Sequence, residues 1–236
     1  MLRAPRMTSR ATAVVVALVL GSLSVPAGAN AAPKNYCADL KGVVSGAVCQ
    51  IQLSDPGYTV TVNIPSSYPD MKAMADFVAQ TRDAFLNVAK SSAPRDAPYA
   101  LDITSSTYNS AVPPRGQQSV VLKIYRNVGA AHPETSYKSF VWDQTYRKPV
   151  TYETLWQPDK DPLPVVFPAV QQVIAKQVAS PVPIDPSAGL DPANYQNFAI
   201  TNDGVIFFFS QGTLLPEAAG AVEALVPRSV IDPLLA

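Results

Sequence analysis

The chain of 236 residues is 47% apolar and 15% charged, and its 18 basic residues balance 18 acidic ones. A surface without excess positive charge has little with which to neutralise phosphates, so the composition argues against nucleic acid as a partner. Attraction to anionic membranes is disfavoured for the same reason.

The first 31 residues have the pattern of an export signal. Three arginines and no acidic residue precede the apolar run 11–20, and small residues follow over 25–32. A basic region, an apolar core of about ten residues and an Ala-x-Ala site in this order are typical of a signal peptide, and the core is too short to span a bilayer. We expect cleavage after Ala31; an uncleaved N-terminal anchor is the alternative.

The predicted product is one secreted, extracellular domain, 32–236. Removing 31 residues takes away three of the 18 basic residues and none of the 18 acidic ones. The product then has 15 basic and 18 acidic residues, a formal charge of −3. The product is long enough for one substantial core or two small ones. No later run approaches the roughly 18 apolar residues of a membrane span, so we expect no transmembrane anchor after processing. The sequence does not set an oligomeric state.

Cys37 and Cys49 are the only two cysteines. In an exported chain, two cysteines this close most simply form one disulfide, and closing such a short loop stabilises a fold by about 3 kcal/mol. A metal site is the weaker interpretation, because two thiolates without nearby histidines do not complete a tetrahedral zinc shell. We expect no bound metal.

The middle of the chain predicts several strands and one helix. Apolar and polar residues alternate over 58–64, which is typical of a half-buried strand. From 69 to 90 apolar residues recur at helical spacing after an entry proline, so we predict an amphipathic helix. Further strands are predicted, in chain order, over 99–108, 119–128, 136–142 and 148–152.

The last third of the chain predicts a second helix and a hairpin. Apolar residues follow a helical stripe over 163–178. The triplet Asn202-Asp203-Gly204 separates apolar runs over 198–201 and 205–210, which is a strong hairpin signal. A strand over 221–226 and a short helix over 227–235 complete the prediction. This order indicates an α+β fold, an antiparallel sheet packed against two main helices.

His132 is the only histidine. A catalytic base needs a nucleophile and usually an orienting acid, and the chain has neither a Gly-x-Ser-x-Gly elbow nor a His-Glu-x-x-His helix. We therefore favour a structural or ligand-contacting histidine in a turn. The 11 glycines form no Gly-rich phosphate loop, so we expect no nucleotide cofactor.

Four carboxylates lie close together in the sequence: Asp143, Glu153, Asp159 and Asp161. A pair of carboxylates can perform acid and base chemistry alone, as in glycosidases. Spacing on loops does not establish the fixed separation that this chemistry needs, so we favour solvated surface acids. No residue is assigned a catalytic role.

The segment 137–156 is rich in aromatic residues interleaved with lysine and arginine. Exposed Trp, Tyr and Arg dominate protein-recognition hot spots, and aromatic faces also stack on sugars. The same aromatics on strands are ordinary core residues, which is the favoured alternative. Tyr146 and Tyr152 are expected to be the most exposed. The candidate ligand-binding residues are Tyr146, Tyr152, His132, Trp142 and Trp156.

Several segments of the predicted product carry a specific resemblance to a known family. They are 32–37 (APKNYC), 146–149 (YRKP), 154–156 (TLW), 161–168 (DPLPVVFP) and 189–198 (GLDPANYQNF) through to Phe209. Together they resemble the mycobacterial secreted immunogenic antigen family MPT-sixty-four/MPB-sixty-four, over essentially the whole product.

The C-terminal part, about 130–236, is also similar to a domain of unknown function that ends the RsiV anti-sigma factor and recurs in PdaC-type deacetylases. The matching residues are 129–132 (GAAH), Trp142-Asp143, 154–156, 204–209 (GVIFFF) and 215–220 (LPEAAG). In RsiV the module binds lysozyme, and in the deacetylases another domain carries the catalysis. The resemblance therefore implies a non-catalytic binding domain with a β-grasp-like core.

The function expected from these observations is recognition of an extracellular partner, namely a host or envelope protein or a cell-wall glycan. The alternative is a cell-wall hydrolase that uses carboxylates such as Asp143, assisted by His132. A weaker alternative is a protein that binds lipid surfaces through an exposed apolar patch.

Overall fold

The computed structural model describes Met1 and residues 34–91, 97–111, 116–178 and 183–236. Except for Met1, the predicted export signal and its cleavage point after Ala31 lie outside these residues. Asn35–Ala236 forms one compact unit, distinct from Met1–Lys34. In the described part of the chain, no helix is long and apolar enough to cross a membrane.

Seven strands form a large sheet in which spatial order follows chain order. All neighbours are antiparallel except β3 and β4, which are parallel. The strands are β1 (Val43–Ser45), β2 (Val48–Asp55), β3 (Tyr58–Pro65), β4 (Tyr99–Ser110), β5 (Gln117–Asn127), β6 (Glu134–Asp143) and β7 (Lys148–Pro149).

The parallel pair exists because a long helix, α2 (Met71–Ala89), connects β3 to β4. Parallel neighbours need a crossover connection of this kind. The helix begins at Asp70, whose side chain accepts a hydrogen bond from Ala73 N at 3.2 Å. Its buried stripe packs on one face of the large sheet and consists of Met71, Met74, Ala75, Val78, Phe85 and Ala89.

Three strands form a small antiparallel sheet in the order β10, β9, β8. These are β8 (Phe198–Ile200), β9 (Gly204–Phe209) and β10 (Val222–Pro227). The predicted hairpin turn at 202–204 is confirmed. Gly204 is required there, since a Cβ atom at this position would lie 2.0 Å from the Val226 carbonyl oxygen.

The small sheet packs on the face of the large sheet that α2 leaves open. Val121, Ala199 and Phe208 are buried between the two sheets. Two serines of the large sheet also join them: Ser139 Oγ accepts a hydrogen bond from Phe198 N at 3.0 Å, and Ser119 Oγ accepts one from Ile200 N at 3.2 Å. These bonds give backbone groups of β8 partners on the large sheet.

A second long helix, α4 (Leu163–Gln177), covers the outer face of the small sheet, so the layers run helix, sheet, sheet, helix. Pro168 lies inside α4 and does not delay its start, because the helix already begins at Leu163. The remaining helices are short: α1 (Tyr36–Asp39), α3 (Tyr152–Leu155), α5 (Pro186–Gly189) and α6 (Arg228–Ile231), with 3-10 turns at Pro192–Tyr195 and Glu217–Ala219.

The predicted α+β class is confirmed, with differences in detail. There are two sheets, and each main helix covers a different one. The strand expected over 148–152 is reduced to Lys148–Pro149, because Tyr152 already begins α3. Strand β2 was not predicted, although its buried Cys49 and Ile51 alternate with exposed Gln50 and Gln52.

The predicted disulfide between Cys37 and Cys49 is confirmed, and both residues are buried. It joins α1 to β2. Gly42 lies against it, and a Cβ atom there would lie 2.8 Å from Cys49 Sγ.

Candidate functional site

The five candidate ligand-binding residues do not form one site. His132 precedes β6 and Tyr146 follows it. A strand of this length spans about 30 Å, so His132 and Asp143 lie at opposite ends of β6. Asp143 and His132 therefore do not share one site, so the hydrolase hypothesis loses the assistance that it gave to His132.

Asp143 holds the turn between β6 and β7, which we call the tip (Gln144–Arg147). The carboxylate is buried, with 8% of the residue exposed. Asp143 Oδ1 accepts hydrogen bonds from Thr145 N at 2.8 Å and Tyr146 N at 2.9 Å. Oδ2 accepts one from Gln117 Nε2 on β5 at 3.1 Å. With three donors placed around it, Asp143 acts as the organising residue of the tip.

Tyr146 is 73% exposed and is the only exposed aromatic side chain among the described residues. Its expected exposure is confirmed. Lys148 Nζ lies 5.4 Å from the centre of the Tyr146 ring, within the range of a cation–π contact. Arg147 completes the turn with φ of 52° and is also exposed. The tip therefore presents one exposed ring together with two cations.

A pocket of about 140 Å³ opens beside Tyr146 and Lys148. Its volume is close to the roughly 150 Å³ that holds benzene in an engineered protein cavity. The rest of this tip pocket is lined by the apolar Val150, Leu155, Ile200 and Ala236 and by the polar Gln117, Asp143 and Thr154.

Tyr152 and Trp156 belong to the core that α4 shares with the small sheet. They are 7% and 5% exposed, so the expectation that Tyr152 is exposed is wrong. The two rings meet edge to face at 5.9 Å, and Trp156 stacks on Phe207 at 6.3 Å. Burial, and secondarily the charge of Asp161, raises the pKa of Tyr152 to about 12.

Trp142 is half-buried on the face of the large sheet that α2 covers. It pairs with Pro149 across the β6–β7 ladder. Trp142 is therefore mainly a core residue, which agrees with the favoured interpretation of the aromatic segment. Part of its indole ring remains exposed to solvent.

A cleft of about 240 Å³ separates the start of α2 from β6 and α3. We call it the aromatic cleft, because Tyr68, Phe140 and the edge of Tyr152 line it. Lys138 and Gln196 also line it. Of these residues the sequence singled out only Tyr152, since no local pattern links positions this far apart in the chain.

His132 lies in a third cleft, of about 330 Å³. Arg126 and Glu134 form an ion pair at its edge, and Gln211 and Glu217 face it. Among the described residues, none that lines this cleft carries a hydroxyl or a thiol.

The other three carboxylates of the hydrolase hypothesis are exposed residues at helix starts and turns. Asp161 Oδ1 accepts a hydrogen bond from Leu163 N at 3.2 Å, at the start of α4. A hydrogen bond from Thr151 lowers the pKa of Glu153. Asp159 occupies a turn with φ of 64°. Within the described ranges, no three Asp, Glu, His or Cys side chains gather as a metal site.

Comparison with known proteins gives a family match and several relatives. The model of a family described as a protein of unknown function, DUF3298, matches residues 153–229. This range covers α3, α4 and the small sheet, and it lies inside the module predicted over about 130–236.

Two solved DUF3298 structures share the fold at low sequence identity. One, from Pseudomonas aeruginosa PAO1, has a TM-score of 0.55 at 12% identity and covers 80% of this chain and 92% of that one. Another, from Bacteroides fragilis, has a TM-score of 0.51 at 14% identity and covers 83% and 94%.

Three relatives cover nearly the whole chain. Immunogenic protein MPB64 of Mycobacterium bovis and immunogenic protein MPT64 of Mycobacterium tuberculosis are each 61% identical over 94% of this chain and 97% of their own length. Esterase Rv3036c of Mycobacterium tuberculosis is 47% identical over 95% of this chain and 97% of its own. With such identity and coverage, the chain belongs to the family of the mycobacterial immunogenic proteins MPB64 and MPT64.

Proposed function

We propose that the protein is exported, released by cleavage after Ala31, and binds an extracellular protein through the tip. The surface that makes the contact consists of Tyr146, Arg147, Lys148 and the tip pocket. Export rests on the sequence pattern of residues 1–31.

The observation that carries the proposal is an exposed aromatic ring on a turn that a buried carboxylate holds. Exposing a ring to water forgoes the stabilisation that its burial would provide, yet Asp143 fixes the backbone on which Tyr146 stands. Tyrosine is enriched in binding hot spots. A preorganised turn also reduces the conformational entropy lost on binding.

The surroundings of Tyr146 indicate the chemistry of the partner. Arg147 and Lys148 are exposed and carry positive charge, which favours an acidic surface opposite the tip. The tip pocket is about 140 Å³, and its walls combine apolar side chains with the polar Gln117, Asp143 and Thr154. A partner that places one apolar side chain in this pocket, next to its carboxylates, satisfies both features.

Site-specific photo-crosslinking tests this proposal. A benzophenone amino acid is placed at position 146 in one variant and at Val165 in a matched control. Val165 is 46% exposed on α4 and does not line the tip pocket. We expect one extracellular protein to be captured from position 146 and not from 165. The same products from both positions would overturn the proposal.

Ester hydrolysis is a second candidate, because a relative that is 47% identical is named an esterase. Turnover of short-chain p-nitrophenyl esters by the purified protein tests it, with His132→Ala as the variant. Saturable turnover that falls about 100-fold in this variant would establish histidine-dependent catalysis. Turnover no faster than that of an unrelated protein would remove this candidate.

A further inference from the structure

We propose that the aromatic cleft is a second binding site, which takes one ring of a neutral saccharide. This site lies next to the tip pocket, with which it shares Val150, and its test does not depend on the proposed protein partner.

The walls of the cleft are aromatic rings held in place by neighbouring residues. Phe140 packs edge to face on Phe77 of α2 at 6.0 Å. Tyr68 is 5% exposed, and its hydroxyl donates a hydrogen bond to Gln118 O at 3.5 Å. Tyr152 is fixed against Trp156. Tyr68 and Tyr152 are almost fully buried, so the half-buried Phe140 provides most of the ring surface that the C–H face of a sugar can contact. Because this ring is already fixed, little side-chain entropy is lost on binding.

The polar groups of the cleft combine one cation, one anion and neutral groups. Lys138 and Asp70 line it together with Thr151 and Gln196. Gln196 Nε2 donates to Pro192 O at 3.0 Å, which orients the amide. A cleft whose formal charges cancel favours a neutral ligand with several hydroxyls over an anion or a cation. These residues supply both donors and acceptors for such hydroxyls.

The size of the cleft selects a single ring. Its volume of about 240 Å³ exceeds the roughly 150 Å³ of a benzene-sized cavity and lies below the 300 Å³ or so at which sites for drug-sized ligands begin. Thr151 and Gln196 are exposed at one side, so further rings of a chain can continue into solvent there.

Tryptophan fluorescence provides the binding assay. Trp142 lies on β6 two residues from Phe140, and Trp156 contacts Tyr152, so a ligand in the cleft changes the surroundings of both indoles. The purified protein is titrated with chitotetraose and with cellotetraose, two neutral probes. We expect saturable binding of at least one, with a dissociation constant between about 0.1 and 10 mM, as a small ligand with few contacts implies.

Variants then test whether the probes bind in the aromatic cleft. Gln196→Ala changes only the rim, whereas Lys138→Met also removes the ammonium group that lies 5.8 Å from the centre of the Phe140 ring. Each is expected to weaken binding about 10-fold. Phe140→Leu removes the ring at similar volume and is checked by its unfolding midpoint. Val165→Ala is the matched control and should bind as the unchanged protein does. Absence of saturable binding of both probes, or equal affinity in the rim variants, would overturn the proposal.

Discussion

Asp143 Oδ1 accepts a hydrogen bond from the backbone N–H of Tyr146 at 2.9 Å, which links a buried carboxylate to the only exposed aromatic side chain of the described residues. The Asp143 carboxylate therefore supports the proposed binding by fixing the position of Tyr146. Its three hydrogen bonds fix the turn, and the turn presents the ring.

Asp143→Asn should loosen the tip and destabilise the fold. The NH₂ group of the asparagine can only donate hydrogen bonds. It would face another donor, either a backbone N–H or Gln117 Nε2, so at least one of the three hydrogen bonds is lost. We expect the free energy of unfolding to fall by about 1–3 kcal/mol, measured by urea denaturation. Asp159→Asn makes the same chemical change on an exposed turn and should stay within about 0.5 kcal/mol. Equal effects of the two substitutions would contradict the role given to Asp143.

The disulfide should contribute a large share of the stability. Replacing both Cys37 and Cys49 by Ala removes a covalent link between α1 and β2 that spans 12 positions. We expect a loss of about 3 kcal/mol, seen as a lower urea midpoint. The unchanged protein with its disulfide reduced is the control and should unfold near the same midpoint as the double variant. A midpoint that does not respond to reduction would refute this prediction.

Tyr152 should make the fold sensitive to alkali. Burial raises its pKa to about 12, whereas a tyrosine in an unfolded chain ionises at about 10. Between these values the unfolded chain has lost the proton and the folded protein still holds it. This contribution is complete below about pH 10 and is lost as the pH rises towards 12.

The matched variant for this prediction is Tyr152→Phe, which keeps the ring and removes the titrating group. Between about pH 9 and pH 11, the unchanged protein should lose about 1 kcal/mol more stability than the variant. Tyr68 and Tyr195, whose pKa values burial also raises, remain in both proteins and cancel in the comparison. Identical pH profiles would show that Tyr152 ionises as freely in the folded protein as in the unfolded chain.

The sequence predicts the elements of this fold well where apolar residues recur with a regular period over a long stretch. The alternation over 58–64 and the helical stripe over 69–90 correspond to β3 and α2. Strand β2 carries the same period-two signal, because the buried Cys49 and Ile51 alternate with exposed glutamines.

The candidate site was less predictable, since it depends on contacts between distant residues. Thr151 N donates to Thr154 Oγ1 at 2.9 Å, which helps to start α3 at Tyr152 and places this ring in the core. A tyrosine in an aromatic segment gives no local sign of that turn. The aromatic cleft joins Tyr68, Phe140 and Gln196, which only the packing of α2 and the 3-10 turn against β6 brings together.

The most direct test of the central claim is the affinity of the protein captured from position 146, measured by calorimetry with purified components. We predict that Tyr146→Ala weakens binding about 30-fold or more, the loss expected for a hot-spot residue, while Val165→Ala leaves the dissociation constant unchanged. Equal affinity of the unchanged protein and Tyr146→Ala would contradict the claim that the tip is the recognition surface.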